Sequence, residues 1–172
     1  MSYDVVIEIM GTCTDASLLR DVVEAAETDA AERDWGIGAD ASDIIEALEA
    51  ATEDGGMLVL LKSDTGGLFG ETREACRLAG LNYVVSYGAS GEEGFSEAIF
   101  YRAGGEEFAI PLDPGNEVVP MRDLRTAVEQ GLDAVKEMIA EYDRKVLKDI
   151  DRSLSVPRDI VQEIASEIAA RP

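Results

Sequence analysis

The sequence predicts an α/β fold: a three-stranded parallel sheet extended by a β-hairpin, with flanking helices and a long helical C-terminal arm. Three observations predict it. Short apolar, β-branched runs alternate with segments of helical periodicity over residues 3–87, the pattern of parallel strands joined by crossovers. Two further strand-like runs flank a Gly-Gly pair, Gly104-Gly105, a hairpin signal. From Met121 to about Ile150 apolar residues step by three or four, close to a heptad seam.

The elements follow in order. Tyr3 to Met10 is β-branched and apolar, and Gly11 ends it. A helix follows, with Leu18, Leu19, Val22, Val23 and Ala26 on one stripe and Thr14 or Asp15 as its N-cap. Helicity fades around Trp35-Gly36-Ile37-Gly38, where the Trp reads as a core plug at a helix end. A second helix starts near Ala41 with Asp40 as cap, and Gly55-Gly56 stops it. Met57 to Leu61 is the most hydrophobic run, which its flanking glycines and length assign to a central strand. A short helix covers about Phe69 to Leu78, with Gly80 just past its end. Asn82 to Tyr87 is the third strand.

The pattern then changes. Gly104-Gly105 as a two-residue loop sets Arg102 opposite Glu107, Tyr101 opposite Phe108 and Ile99 opposite Ile110, with the four apolar residues on one buried face. Pro111 places the second hairpin strand at an edge or ends it there. Asp113-Pro114-Gly115-Asn116 is a turn. The seam Met121, Leu124, Val128, Leu132, Val135, Ile139, Tyr142, Val146 then predicts one helix of some eight turns, weakest at Gly131. A last helix starts at about Val156, capped by Ser155, with Ile160, Ile164 and Ile168 on one stripe. Residues 1–118 form the α/β core and 119–172 the arm, within one structural domain.

Composition restricts function more than any motif. The 172 residues carry 36 Asp+Glu against 15 Lys+Arg and no His, a formal net charge of −21. Such a field repels nucleic-acid backbones and anionic lipid. The apolar fraction of 46 % is that of a folded protein, so the acid does not signal disorder. It reads as adaptation to high salt or an acidic host proteome. DNA mimicry, which asks for carboxylates gathered on one face, is the alternative. No apolar run reaches the roughly 18 residues needed to span a bilayer. Two Cys and no basic leader point to a reduced, cytoplasmic protein.

In a parallel sheet, ligands bind beyond the carboxyl ends of the strands. Those ends carry Thr12, Ser63, Thr65, Gly66, Gly67 and Ser86, which with Arg73 form the candidate site for a small anionic ligand. The stretch matches neither a Walker A loop nor GxGxxG, and its glycines equally allow a tight turn. Asp64 and Cys13 are the catalytic candidates: a carboxylate just after a strand, and a thiol before a helix. No Arg stands six positions after Cys13, so the phosphatase pattern fails by a residue, and no CxxC is present. With no His, a Ser-His-Asp or Cys-His mechanism is excluded and a zinc site lacks ligands. No cofactor or metal is expected. Lys62, Arg20 and Arg73 are the cations nearest the strand ends.

The expected function is therefore a non-catalytic ligand-binding or protein-interaction module, a homo-oligomer through its C-terminal helices. The alternatives are an enzyme acting on a small phosphorylated or nucleotide substrate at the Gly-rich loops, and a DNA-mimic inhibitor.

Overall fold

A computed structural model describes residues 3–31, 40–64, 67–89, 95–112 and 118–171. The elements run β1 (Tyr3–Thr12), α1 (Ala16–Thr28), α2 (Ala41–Asp54), β2 (Leu58–Asp64), α3 (Gly70–Leu78), β3 (Asn82–Ala89), β4 (Glu97–Tyr101), β5 (Glu107–Pro111), α4 (Met121–Gln130), α5 (Leu132–Lys145), β6 (Leu154–Ser155) and α6 (Arg158–Ala169). The readings of Trp35 and of the 113–116 turn lie outside the described residues.

The sheet is antiparallel, not parallel. Its order is β2-β1-β3-β4-β5, and every pair along that path is antiparallel. The reason is the number of helices in the first connection. One helix between two strands returns the chain to its starting end, so the second strand runs parallel. Two helices, α1 and α2, return it to the far end, so β2 runs opposite to β1. The single helix α3 does make β2 and β3 run the same way, but β1 lies between them. The expectation of a central β2 falls with this: β2 is an edge strand. Its inner residues Leu58 and Leu60 are buried, while Val59 on the other face is 38 % exposed.

Local chemistry sets the helix ends. Asp15 Oδ1 accepts from Ser17 N at 2.9 Å and Leu18 N at 3.2 Å at the start of α1, and Asp40 Oδ1 accepts from Ser42 N and Asp43 N at 2.9 and 3.1 Å at the start of α2. Gly55 closes α2 in the left-handed conformation, φ 66°. Among the described residues, no side chain next to α3 in the sequence caps it. Asp29, at the end of α1, does so instead: its Oδ2 accepts from both the backbone N–H and the hydroxyl of Thr72, each at 2.8 Å.

The sheet has two cores. Val5, Ile7, Ile9, Leu58, Leu60, Tyr83, Val85, Ile99 and Tyr101 form one face, covered by α1, α2, α3 and α6. Met10, Val84, Ala98, Phe100 and Ile110 form the other, covered by Val146 and Leu147 with Tyr142 beside them. The stripe of α6 is spent within the chain: Val161 and Ile164 are buried, and Ile160 and Ile168 pack on the first core.

A backbone clip ties the later chain to the sheet. β6 pairs parallel with the end of β1, Gly11 N donates to Ser153 O at 2.8 Å, Cys13 N to Ser155 O at 3.1 Å, and Leu154 N to Gly56 O at 2.7 Å.

Two further expectations are corrected. The eight-turn helix is two helices, because Gly131 takes φ 108° and ψ 178°, a conformation open only to glycine. The hairpin register is shifted by one residue. Gly105 N donates to Arg102 O at 2.9 Å, so Ala103 and Gly104 are the corner residues, and Tyr101 opposes Glu107 while Phe100 opposes Phe108. A one-residue shift inverts the faces. Phe108 and Ile110 join the second core, and Glu107 goes to the side of Tyr101.

Candidate functional site

The register of the hairpin builds the most connected polar cluster among the described residues. Tyr83, Tyr101 and Glu107 are directly opposite one another on β3, β4 and β5. The two tyrosine rings stack with centroids 4.8 Å apart. Arg73 and Arg77 stand one turn apart on α3 and share a face. Arg73 grips Glu107 as a fork, Nε to Oε1 at 2.8 Å and Nη2 to Oε2 at 2.5 Å. Arg77 Nη2 adds a bond to Oε1 at 2.6 Å and lies over the Tyr101 ring, 5.7 Å from its centroid. The Tyr83 hydroxyl donates to Oε1 at 2.6 Å.

This cluster is a clamp rather than an acid–base pair. Burial pushes the Glu107 carboxyl up, but the hydrogen bonds from Arg73 and Tyr83 and the charges of Arg73 and Arg77 outweigh it and hold its pKa below the usual range. Burial, and next the bond to Glu107, push the Tyr83 phenol far above its ordinary value. Neither group changes protonation near neutrality, which general acid–base work requires.

On the outer side of the same hairpin lies a cleft of about 340 Å³ between the Arg102–Glu107 turn and the C-terminal end of α5. Arg102, Arg144 and Lys145 line it with Glu106 and Phe108. α5 is seated here by its aromatic residue: the Tyr142 ring meets Phe108 edge-on at 5.8 Å, and Lys145 Nζ lies 5.0 Å from the Phe108 centroid. Arg102 Nη2 donates to Asp149 Oδ1 and to Arg144 O, joining the hairpin to the segment after α5.

The sequence-predicted site is dispersed. Reversal of β1 sends Thr12 and Cys13 to one end of the sheet and Ser63, Asp64 and Gly67 to the other; β1 itself spans ten residues, roughly 30 Å. Thr12 is exposed and pairs with Ser155. Cys13 is buried, its thiol donating to Asp15 O at 3.5 Å. Ser63 Oγ donates to Asp4 Oδ1 at 3.4 Å. The Asp64 backbone pairs with Tyr3, and its side chain lies outside the described residues, as do Thr65 and Gly66. Gly67 O accepts from Phe69 N at 3.0 Å. Ser86 lies on the second face, in a hollow with Glu8, Val84 and Phe100. Arg20 pairs with Glu167 at 2.6 Å. Lys62, on β2 itself, is buried, its Nζ 4.9 Å from the Phe69 centroid and donating to Asp29 O at 3.4 Å.

Arg73 is the one predicted ligand residue in the clamp. Glu107, Arg77 and Tyr83 were not singled out for it. The available signal was Arg73 and Arg77 at helical spacing in a chain poor in cations. Comparison with family models, with curated proteins and with solved structures returned no match. Among the described residues no helix is long and apolar enough to cross a membrane.

Proposed function

We propose that the protein is a non-catalytic interaction module of the cytoplasm that works by associating with a second copy of itself through α4 and α5. One observation carries the reading: the stretch 121–148, which holds α4 and α5, is electrically neutral in a chain of net charge −21. Between Met121 and Lys148 stand six basic and six acidic residues, so the nine basic and thirty acidic residues elsewhere account for the whole imbalance.

The same stretch carries the exposed apolar surface. Of the eight large apolar side chains most exposed among the described residues, Met121, Val128, Leu132 and Ile139 belong to it, and Val118 and Val119 immediately precede it. Met121 and Val128 are seven residues apart on α4, as are Leu132 and Ile139 on α5, so each pair shares a helix face. A second copy fits this surface best. Two chains of −21 repel one another over most of their surfaces, and a neutral apolar patch is where that repulsion is smallest. Clustered apolar exposure of this kind marks an interaction surface. The enzyme alternative is the less supported, because the loop after β1 lies at the end of the sheet opposite the loops after β2 and β3, so the three do not meet.

Light scattering coupled to size exclusion tests the reading. Salt at about 1 M shortens the Debye length to about 3 Å and removes most of the repulsion. The expected mass in molar KCl is twice the 18.5 kDa of the chain, falling to one chain in the double variant Val128→Glu, Ile139→Glu. A wild-type protein that stays at one chain mass over the accessible concentration range overturns it.

A further inference from the structure

We infer that Gly131 is a hinge, and that in the paired form α4, Gly131 and α5 straighten into one continuous helix whose apolar stripe meets the same stripe of a second copy. This deepens the self-association reading and rests on it.

The apolar pattern of the arm fits one helix, although the chain is folded as two. On an unbroken helix each residue turns by about 100°, so Met121, Leu124, Val128, Leu132, Val135, Ile139, Tyr142 and Val146 fall within an arc of roughly 80°. No charged residue between 121 and 146 falls within that arc. The bend at Gly131 divides this stripe. Tyr142 and Val146 are seated on the second core, while Met121, Val128, Leu132 and Ile139 are each at least half exposed. Straightening aligns those four residues with the anchored end. A single stripe that meets its own copy about a two-fold axis is a self-complementary interface.

The bend itself is lightly held. Gly131 N donates to Ala127 O at 3.1 Å, and Gly131 O accepts from Val135 N at 3.2 Å, both of them bonds that a continuous helix keeps. No side chain caps the start of α5, so straightening gives the amides of its first turn partners in the last turn of α4. A Cβ placed on Gly131 would meet nothing within 4 Å, so no neighbour blocks the motion. The main packing partner of α4 is α5, and no residue of α4 belongs to either sheet core. Swinging α4 therefore exchanges the α4–α5 contact for a contact with the second copy and leaves both cores closed.

The test reads the hinge and the association together in molar KCl. Arg122 and Ala140 are exposed and stand five turns apart on a continuous helix, on the same side and roughly 27 Å from one another. The doubly substituted chain Arg122→Cys, Ala140→Cys is labelled with nitroxides, the native Cys13 and Cys76 being buried, and is diluted into unlabelled protein so that only the distance within one chain is read by double electron–electron resonance. The expected distance is that of the continuous helix in the dimer and a clearly shorter one in dilute single chains. Gly131→Ala cannot adopt φ 108° with ψ 178° but favours a helix interior over Gly, so it is expected to tighten the dimer dissociation constant about tenfold or more by light scattering. A short distance in chains that scatter as dimers, or a Gly131→Ala dimer no tighter than wild type, overturns the hinge and leaves the association standing. One chain mass in both wild type and Gly131→Ala overturns both readings.

Discussion

Tyr83 donates its hydroxyl to Glu107 at 2.6 Å although their strands are not neighbours: β4 runs between β3 and β5, and Tyr101 stacks on Tyr83 in the gap. The bond therefore bridges a three-strand segment of the sheet, and Arg73 and Arg77 fasten that segment to α3. Three side chains from two elements, Arg73 and Arg77 on α3 and Tyr83 on β3, thus converge on one carboxylate.

Replacing that carboxylate should be costly. Glu107→Gln keeps the shape but leaves two guanidiniums facing a neutral amide, Arg73 being only 17 % exposed. We expect a loss of about 2 kcal/mol in urea unfolding, the scale for removing one partner of a partly buried charge network. Glu74→Gln, which removes the exposed partner of Arg77, should stay within about 0.5 kcal/mol.

The same residue gives the stability a pH dependence of known sign. Its folded pKa lies below the unfolded value of about 4.3. A depressed carboxyl stabilises the fold above the unfolded pKa, and that contribution is lost as pH falls through the folded pKa. The gap in urea midpoint between wild type and Glu107→Gln should be flat from about pH 7 to 5 and shrink below about pH 4. Taking the difference cancels the many other carboxylates.

Asp29 is expected to matter more than its place at the end of α1 suggests. Asp29→Ala strips α3 of the side-chain cap at Thr72, a fully buried residue. The expected cost is about 1–2 kcal/mol. Asp29→Asn, which keeps an acceptor, should recover most of it in the same denaturation experiment.

Both thiols should be inert in the native protein. Cys13 is 3 % and Cys76 0 % exposed, and burial, with the Cys13 charge as a lesser cause, pushes the Cys76 thiol far up. Ellman's reagent should find two thiols only after denaturation. Rapid reaction of one thiol in the native state would restore Cys13 as a chemical candidate.

Much of the chain's local structure was legible in its sequence. Asp15 and Asp40 cap the helices as their side chains dictate, Gly55 and Gly80 end helices in left-handed conformations, and Pro111 closes an edge strand. Strand direction was not legible from the alternation of elements, because it depends on how many helices fill a connection and where each lies. The apolar run at β2 pointed to a central strand, yet β2 lies at the sheet edge and its outward residue Val59 is exposed. The hairpin register turned on which two of four residues make the corner; Arg102 opposite Glu107 is attractive as a charge pair, but Arg73 and Arg77, distant in sequence, offer Glu107 a stronger one. Gly131 was identified as the weak point of the arm, but periodicity alone does not distinguish a weak turn from a break. The candidate site assumed that three loops lie at one end of the sheet; the reversal of β1 leaves the loops after β2 and β3 at one end and the loop after β1 at the other.

The backbone clip formed by residues 153–155 bears on how the protein is made. β1 leaves the ribosome long before Ser153 and Ser155, whose carbonyls its end requires, and α6, which seals the first core, follows later still. Contacts of such long sequence separation carry a high loop-closure cost and form late. A nascent chain with β1 to β5 emerged therefore presents the α6-facing side of α1 and α2 uncovered until the last helix follows.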